Sequence, residues 1–362
     1  MVAAQVQSTR TITLTISAIV LSVLNALGPA DTSAEETSNP TFQFHDALER
    51  AQAMPRLHSL LVNWNNQLVL EHYFNGQDRT RLANVKSVSK SWISALVGIA
   101  IGQGYIKGIN QPISDYFGDL LSREDDLLKG EITIGNLLTM QSGLETTSNR
   151  NYGAWVQSGN WIDYALSQPL ELRPGTAMEY STGNTHLLSA ILTKATGVST
   201  LEFARQTLSD ALGFRLAPWP RGPQGIYFGG NDMEMTPRQM IKFGELYLNH
   251  GQINERQVIP ANWIDTSLQP HTESTRERGR SYGYGWWIRN MAGFNTSYAW
   301  GYGGQFILLV PELDLIIVTT SSSNPGLDRR SHTRRVYDLV EYSIIVPASR
   351  DIRKWRNPEL PH

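Results

Sequence analysis

The hydrophobic pattern of this chain changes period twice between its ends. Residues 57–64 (LHSLLVNW) and 67–74 (QLVLEHYF) are β-rich runs separated by Asn65-Asn66, a pair that tolerates left-handed backbone angles, and together they predict a hairpin. Over 87–102 the apolar residues Val88, Trp92, Leu96, Val97, Ile99 and Ile101 mostly share one side of a helix, which predicts one buried face. Gly102, Gly104 and Gly108 break that pattern, and a Pro-containing connection follows at 109–121. Helical patterns and loops then dominate 131–249, with a short helix in 132–144 closed by Gly143 and others at 155–167, 201–212 and 237–248. β-rich runs return at 284–288, 297–311 and 313–321, and the amphipathic segment 330–345 is predicted to pack on them as a helix.

Strands near both ends with helices between them predict an α+β fold, in which a sheet assembled from the terminal regions carries an inserted, mostly helical subdomain. The expected folded domain runs 41–348, with a sheet lobe at 41–95 and 275–348, a helical lobe at 96–274 and a polar tail at 349–362. Ahead of it, residues 12–27 (ITLTISAIVLSVLNAL) form an apolar run of signal-peptide length after Arg10. Gly28-Pro29-Ala30 and polar, acidic sequence come next, so 1–30 reads as a cleaved export signal and the mature protein as periplasmic or secreted. The run is short for a membrane span, and no other stretch is longer, so stable membrane insertion after cleavage is not expected.

Composition narrows the chemistry. A net charge of -2 without a basic stripe argues against nucleic acid as a partner. The absence of cysteine excludes a disulfide framework, a thiolate nucleophile and a cysteine-ligated metal. Neither a G-x-S-x-G elbow nor an H-E-x-x-H zinc motif is present, and no metal or organic cofactor is called for.

What remains is NVKSVSKSW (84–92), which sets Ser87 and Lys90 one helical turn apart. A helix N-terminus favours the negative charge that grows when a serine attacks a carbonyl, and it disfavours a lysine's proton, so Lys90 is placed to act as a base toward Ser87. Lys86 reads as a solvated lysine adding to the local positive field. Tyr180 directly precedes a second helix that Ser181 or Thr182 can cap and Gly197 can end, a position expected to stabilise its phenolate for proton transfer. In YAWGYGGQFILLVP (298–311), Gly301, Gly303 and Gly304 permit close backbone approach, and an N–H near Gly303 or Gly304 is a candidate to complete an oxyanion hole with that of Ser87.

In this order the three elements resemble the serine β-lactamase and penicillin-binding-protein superfamily of S-x-x-K enzymes, in particular the class C β-lactamase-related branch with its esterases and 6-aminohexanoate-oligomer hydrolases. LLTMQSG (137–143), PQGIYFGGNDM (223–233), YGYGWW (282–287) and GYGGQFILLVPELDL (301–315) match segments of that branch in the same order. The resemblance implies Ser87 as nucleophile, Lys90 as its activating partner and Tyr180 as the tyrosine of a Y-x-N motif, in a fold with an antiparallel sheet flanked by helices. The implied activity is hydrolysis of an ester or amide through an acyl-enzyme. The alternatives are a β-lactamase or D-alanyl-D-alanine carboxypeptidase, and a non-catalytic binding or sensor protein on the same fold. Thr182 stands where Y-x-N has asparagine, with Asn184 close behind, and Gly301-Tyr302-Gly303 aligns with the third motif but lacks its Lys or His. That loss weakens the case for substrates bearing a carboxylate, unless an arginine from elsewhere substitutes. Aromatic residues recur around the matched loops at Tyr227, Phe228, Trp286, Trp287, Trp300 and Tyr302, and with Thr182 they are expected to shape a pocket for a neutral or apolar acyl group.

Overall fold

The computed structural model describes residues 44–350, so the expected export segment and most of the polar tail lie outside the described residues. Eight strands form one antiparallel sheet: β1 (Leu57–Trp64), β2 (Gln67–Tyr73), β3 (Thr272–Glu273), β4 (Arg280–Tyr282), β5 (Trp287–Met291), β6 (Phe294–Gly301), β7 (Gln305–Val310) and β8 (Leu315–Ser321). Their spatial order is β2-β1-β8-β7-β6-β5-β4-β3, so the first hairpin joins the last strands through β1 and β8. Asn65 and Asn66 take φ of 50° and 58°, the left-handed pair a tight two-residue hairpin requires.

The centre of the sheet is covered on both sides, which explains why β7 and β8 are apolar throughout rather than alternating. Leu61, Ile307, Leu309, Ile316 and Val318 face one hydrophobic cluster. Their neighbours Leu60, Val62, Phe306, Leu308 and Ile317 face the other. The period of two along each strand sends alternate residues to opposite faces. The first cluster is filled by α2 (Ser89–Gly102), α7 (Thr182–Thr196) and α9 (Pro237–Leu248). The second is filled by α11 (Arg329–Val340) and by α1 (His45–Gln52), a helix the sequence pattern did not suggest. Between α2 and α9 run α3 (Ser114–Leu121), α4 (Ile134–Leu138), α5 (Tyr152–Gln157), α6 (Trp161–Ser167) and α8 (Thr200–Ala204), and α10 (Ala261–Ser267) follows α9.

Several expectations change. The helix at 155–167 is two helices, α5 and α6, because Gly159 and Asn160 interrupt it and Asn160 caps the second through its side chain. The run at 297–311 is two strands joined by a turn, with Gly303 at φ 92° and Gly304 at φ 109°. α2 is buried on nearly every side, with Ser89, Ser91 and Ser94 enclosed along with its apolar residues. Ser89 and Ser91 are accommodated by donating to the carbonyls of Lys86 and Gly285, each at 2.6 Å. Among the described residues no helix is long and apolar enough to cross a membrane.

Candidate active site

Ser87 sits in a single 3-10 turn (Lys86–Val88) that runs directly into α2, so it precedes the helix proper by one turn and Lys90 falls in the first turn of α2. That turn packs against the end of β6 and the start of β7, where Gly301 is needed because a Cβ would lie 2.1 Å from the carbonyl oxygen of Val85. The Lys90 side chain is 1% exposed and bonded on three sides, to Ser87 Oγ at 3.1 Å, Thr182 Oγ1 at 3.3 Å and the Gly230 carbonyl at 2.6 Å. Burial lowers its pKa to about 7, against a smaller upward pull from Asp232. At neutral pH a large fraction of Lys90 is therefore an uncharged amine within reach of the serine hydroxyl.

Tyr180 completes the group, its ring 5.0 Å from Lys90 Nζ and stacked on Trp287 at 5.5 Å. Burial pushes its phenol well above the usual tyrosine value, only partly opposed by its hydrogen bond with Ser87. This corrects the expectation of a phenolate stabilised by the helix N-terminus: desolvation outweighs the helix dipole, and Tyr180 stays protonated at neutral pH. Nor do Ser181 or Thr182 cap α7 with their own side chains. Ser148 Oγ accepts from the Thr182 N–H at 2.9 Å and Thr147 Oγ1 from the Gly183 N–H at 2.8 Å, so a neighbouring loop caps the helix.

The departure from Y-x-N is resolved in space. Thr182 makes the contact with Lys90, while Asn184 is buried and accepts from Ser142 Oγ at 3.1 Å within the LLTMQSG segment. Of the two candidate glycine donors, the Gly304 N–H is spent on the Gly301 carbonyl at 3.3 Å, whereas that of Gly303 takes no part in the turn's backbone bonding. Of the two, Gly303 therefore remains the candidate for an oxyanion-hole donor. Beside the third motif's position, the Arg329 guanidinium at the start of α11 stacks over the Tyr302 ring at 4.2 Å.

The aromatic pocket is corrected. Trp286 is fully buried against Phe243 and Tyr247, and Tyr227, 4% exposed, packs on Trp219, so both belong to the core. Phe228 is likewise packed among Trp155, Trp161 and His186. Trp300, half-buried, and Tyr302, exposed, remain at the sheet end next to Trp287. A cavity of about 260 Å³ on the same rim is walled instead by polar groups, among them His58, Tyr73, Asp78, Arg81, Asn84 and Glu234. His186 is buried and held far below the usual histidine range, at about 3, by desolvation, as suits a packing residue. Sequence reasoning missed the carbonyl of Gly230 as a Lys90 partner. It also missed Asp232, which pairs with Lys86 at 2.8 Å and makes that lysine an ion-pair partner rather than a solvated one. Both lie in the matched segment GGNDM, which was the available signal.

Comparison with known proteins agrees with this geometry. The family profile described as Beta-lactamase matches residues 58–341. The 6-aminohexanoate-dimer hydrolase of Paenarthrobacter ureafaciens is 26% identical over 287 residues, covering 73% of this chain and 72% of that protein. Among solved structures, the penicillin binding protein from Bacillus halodurans superposes with a TM-score of 0.65 at 15% identity, over 82% of this chain and 98% of that one. EstCE1, a hydrolase with promiscuous acyltransferase activity, gives 0.65 at 16% identity, over 84% and 97%. At such identities the structures speak for the fold, a large antiparallel sheet flanked by helices. The match across nearly all of the described residues places the chain in the Beta-lactamase family, a hydrolase family in which its relatives include a 6-aminohexanoate-dimer hydrolase.

Proposed function

We propose that this protein is a serine hydrolase that cleaves an ester or amide bond through an acyl-enzyme on Ser87. The observation that carries the reading is the buried Lys90 amine, 3.1 Å from Ser87 Oγ and titrating at about 7. Lys90 takes the Ser87 proton as Oγ attacks the substrate carbonyl, and the N–H groups of Ser87 and Gly303 hold the oxyanion. The proton on Lys90 then passes to the leaving oxygen or nitrogen by way of the Tyr180 phenol, which its raised pKa keeps as a donor. Water then attacks the acyl carbonyl as Lys90 takes one of its protons, and as the bond from Ser87 Oγ to the acyl group breaks Lys90 returns that proton to Oγ, freeing the acid and restoring the enzyme. The name of the 6-aminohexanoate-dimer hydrolase relative favours a linear amide. The apolar run at 12–27 supports export.

A short-chain p-nitrophenyl ester tests the core of this reading. Wild-type protein is expected to release p-nitrophenol in a burst equal to the enzyme concentration, and Ser87→Ala to show none. A burst that survives in Ser87→Ala refutes the assignment. The pH profile gives a second check: kcat/KM should fall about tenfold per pH unit below about 7, where Lys90 gains its proton and loses its function as base. A profile flat from pH 5 to pH 8 would remove Lys90 from that role.

The stacking of Arg329 on Tyr302 favours a second reading, in which the substrate carries a carboxylate as penicillins and D-alanyl peptides do. Stoichiometric acylation of Ser87 by benzylpenicillin, weakened in Arg329→Ala, would establish it, and unmodified Ser87 after incubation would dismiss it.

A further inference from the structure

The turn that carries Ser87 is held at backbone angles that ordinary side chains avoid. Lys86 sits at φ 52°, and Asp232, in the segment that crosses beside it, at φ 64°. Strained non-glycine residues persist only where surrounding contacts over-determine them. Here Lys86 Nζ lies 2.8 Å from Asp232 Oδ1, and Asn84 Nδ2 donates to the same oxygen at 2.9 Å. Asn84 Oδ1 in turn accepts from the Lys86 N–H at 3.0 Å, so one asparagine side chain ties both strained residues together. Three further bonds lock the same segments. Ser89 Oγ donates to the Lys86 carbonyl at 2.6 Å while accepting from the Met233 N–H at 3.2 Å, and the Val85 N–H donates to the Met233 carbonyl at 2.9 Å. Gly230, two residues before Asp232, supplies the carbonyl that accepts from Lys90 at 2.6 Å. Segment 230–233 therefore holds the nucleophile's turn and the lysine's amine at once.

The clamp also carries charge. The titratable and charged groups around Lys90 are the Tyr180 phenol across the site, the Asp232 carboxylate and the Lys86 cation paired to that carboxylate, while the Tyr152 phenol accepts from Asn231 Nδ2, beside Asp232, at 2.9 Å. Asp232 raises the proton affinity of Lys90, and Lys86, set directly against Asp232, cancels part of that field. The side chains of the pair are 24% and 21% exposed, enclosed enough for the field to act over a few ångströms without full screening by water.

We propose that the Asn84–Lys86–Asp232 clamp is a positioning device of this hydrolase, fixing the Ser87 turn in its strained conformation and balancing the charge that Lys90 meets. Its two charged members act on Lys90 in opposite directions. The proposal rests on Ser87 as nucleophile and Lys90 as base, so loss of the burst in Ser87→Ala is established first, and survival of that burst would overturn the underlying reading independently of the clamp.

The decisive experiment is the pH profile of kcat/KM for Lys86→Met, Asp232→Asn, the double variant and Lys86→Arg, each checked by thermal denaturation for folding. Asp232→Asn is expected to move the acid limb down by about half a unit to one unit, because the carboxylate that favoured the protonated lysine is gone. Lys86→Met exposes that carboxylate and is expected to move the limb up by about the same amount. The double variant should return near the wild-type limb with kcat still reduced about tenfold, since charge balance is restored while the tie on the turn is not. Lys86→Arg should keep both limb and kcat close to wild type. Loss of kcat in both single variants with an unmoved limb, or limbs that move the same way, would reduce the clamp to a structural contact and overturn the proposal. If either neutral variant fails to fold, Asp232→Glu and Lys86→Arg provide the comparison, with wild-type limbs expected in both and a shifted limb in either counting against it.

Discussion

Replacing Lys90 by methionine will abolish the acyl-enzyme burst and at the same time make the protein more resistant to heat at neutral pH. The loss of activity follows from removing the base beside Ser87. The gain follows from linkage. In the unfolded chain Lys90 titrates near its ordinary 10.5, and in the folded protein at about 7, a depression caused by burial. Between those values the unfolded state holds one more proton than the folded state, so stability rises with pH from about 7 to about 10.5 and the penalty is fully present below about 7. At roughly 1.4 kcal/mol per pKa unit, holding this lysine in the core costs the fold up to about 5 kcal/mol. Methionine fills much of the same volume without that cost, but it leaves the Gly230 carbonyl without the Lys90 bond, so a net gain of about 1–3 kcal/mol is expected at pH 7. Thermal denaturation at pH 7 and pH 10 checks this: the advantage of Lys90→Met should shrink at the higher pH. A variant less stable than wild type at pH 7, or an advantage independent of pH, would mean that the lysine is not held neutral by burial.

Gly303→Ala should have the opposite profile, damaging activity and stability together. Gly303 has φ 92°, and an added Cβ would lie 2.6 Å from the Ser322 carbonyl oxygen and 3.0 Å from Ser323 Cα, backbone atoms that cannot rotate away. The turn between β6 and β7 must open to admit the methyl group, and its N–H would swing out of line with that of Ser87. Losing one donor to an oxyanion costs about 10²- to 10³-fold in kcat. Strain at a positive φ adds about 1–3 kcal/mol of lost stability. Gly76→Ala is the control, since Gly76 shares a positive φ of 72° but has nothing within 4 Å of its would-be Cβ. It should lose about 1 kcal/mol and keep its kcat. Equal kcat for Gly303→Ala and wild type would remove the β6–β7 turn from the catalytic machinery.

Much of the site was legible because its chemistry depends on short spacings. Ser87 and Lys90 are three residues apart, and any helical continuation sets them on one side of a turn. The Asn65-Asn66 hairpin and the αL glycine that ends α7 were legible for the same reason, since each is a local backbone requirement. The aromatic pocket was not, because burial of Trp286 or Tyr227 is decided by which surfaces meet across the fold, and an aromatic side chain reads identically in a core and in a cleft.

By itself, the sequence determined the order of the elements, the S-x-x-K pair and the glycines at which the backbone must turn, all of which are set within a few residues. Only the tertiary structure decided the protonation states and the partners. Lys90 loses its proton readily because α2, α7 and the 230–233 segment close around it and exclude water, and Tyr180 stays neutral for the same reason. Thr182 against Lys90, Arg329 over Tyr302 and Asp232 against Lys86 are all contacts between segments far apart in the chain. Desolvation and Coulomb interactions depend on distance in space, and that distance exists only once the sheet has brought the two ends of the chain together.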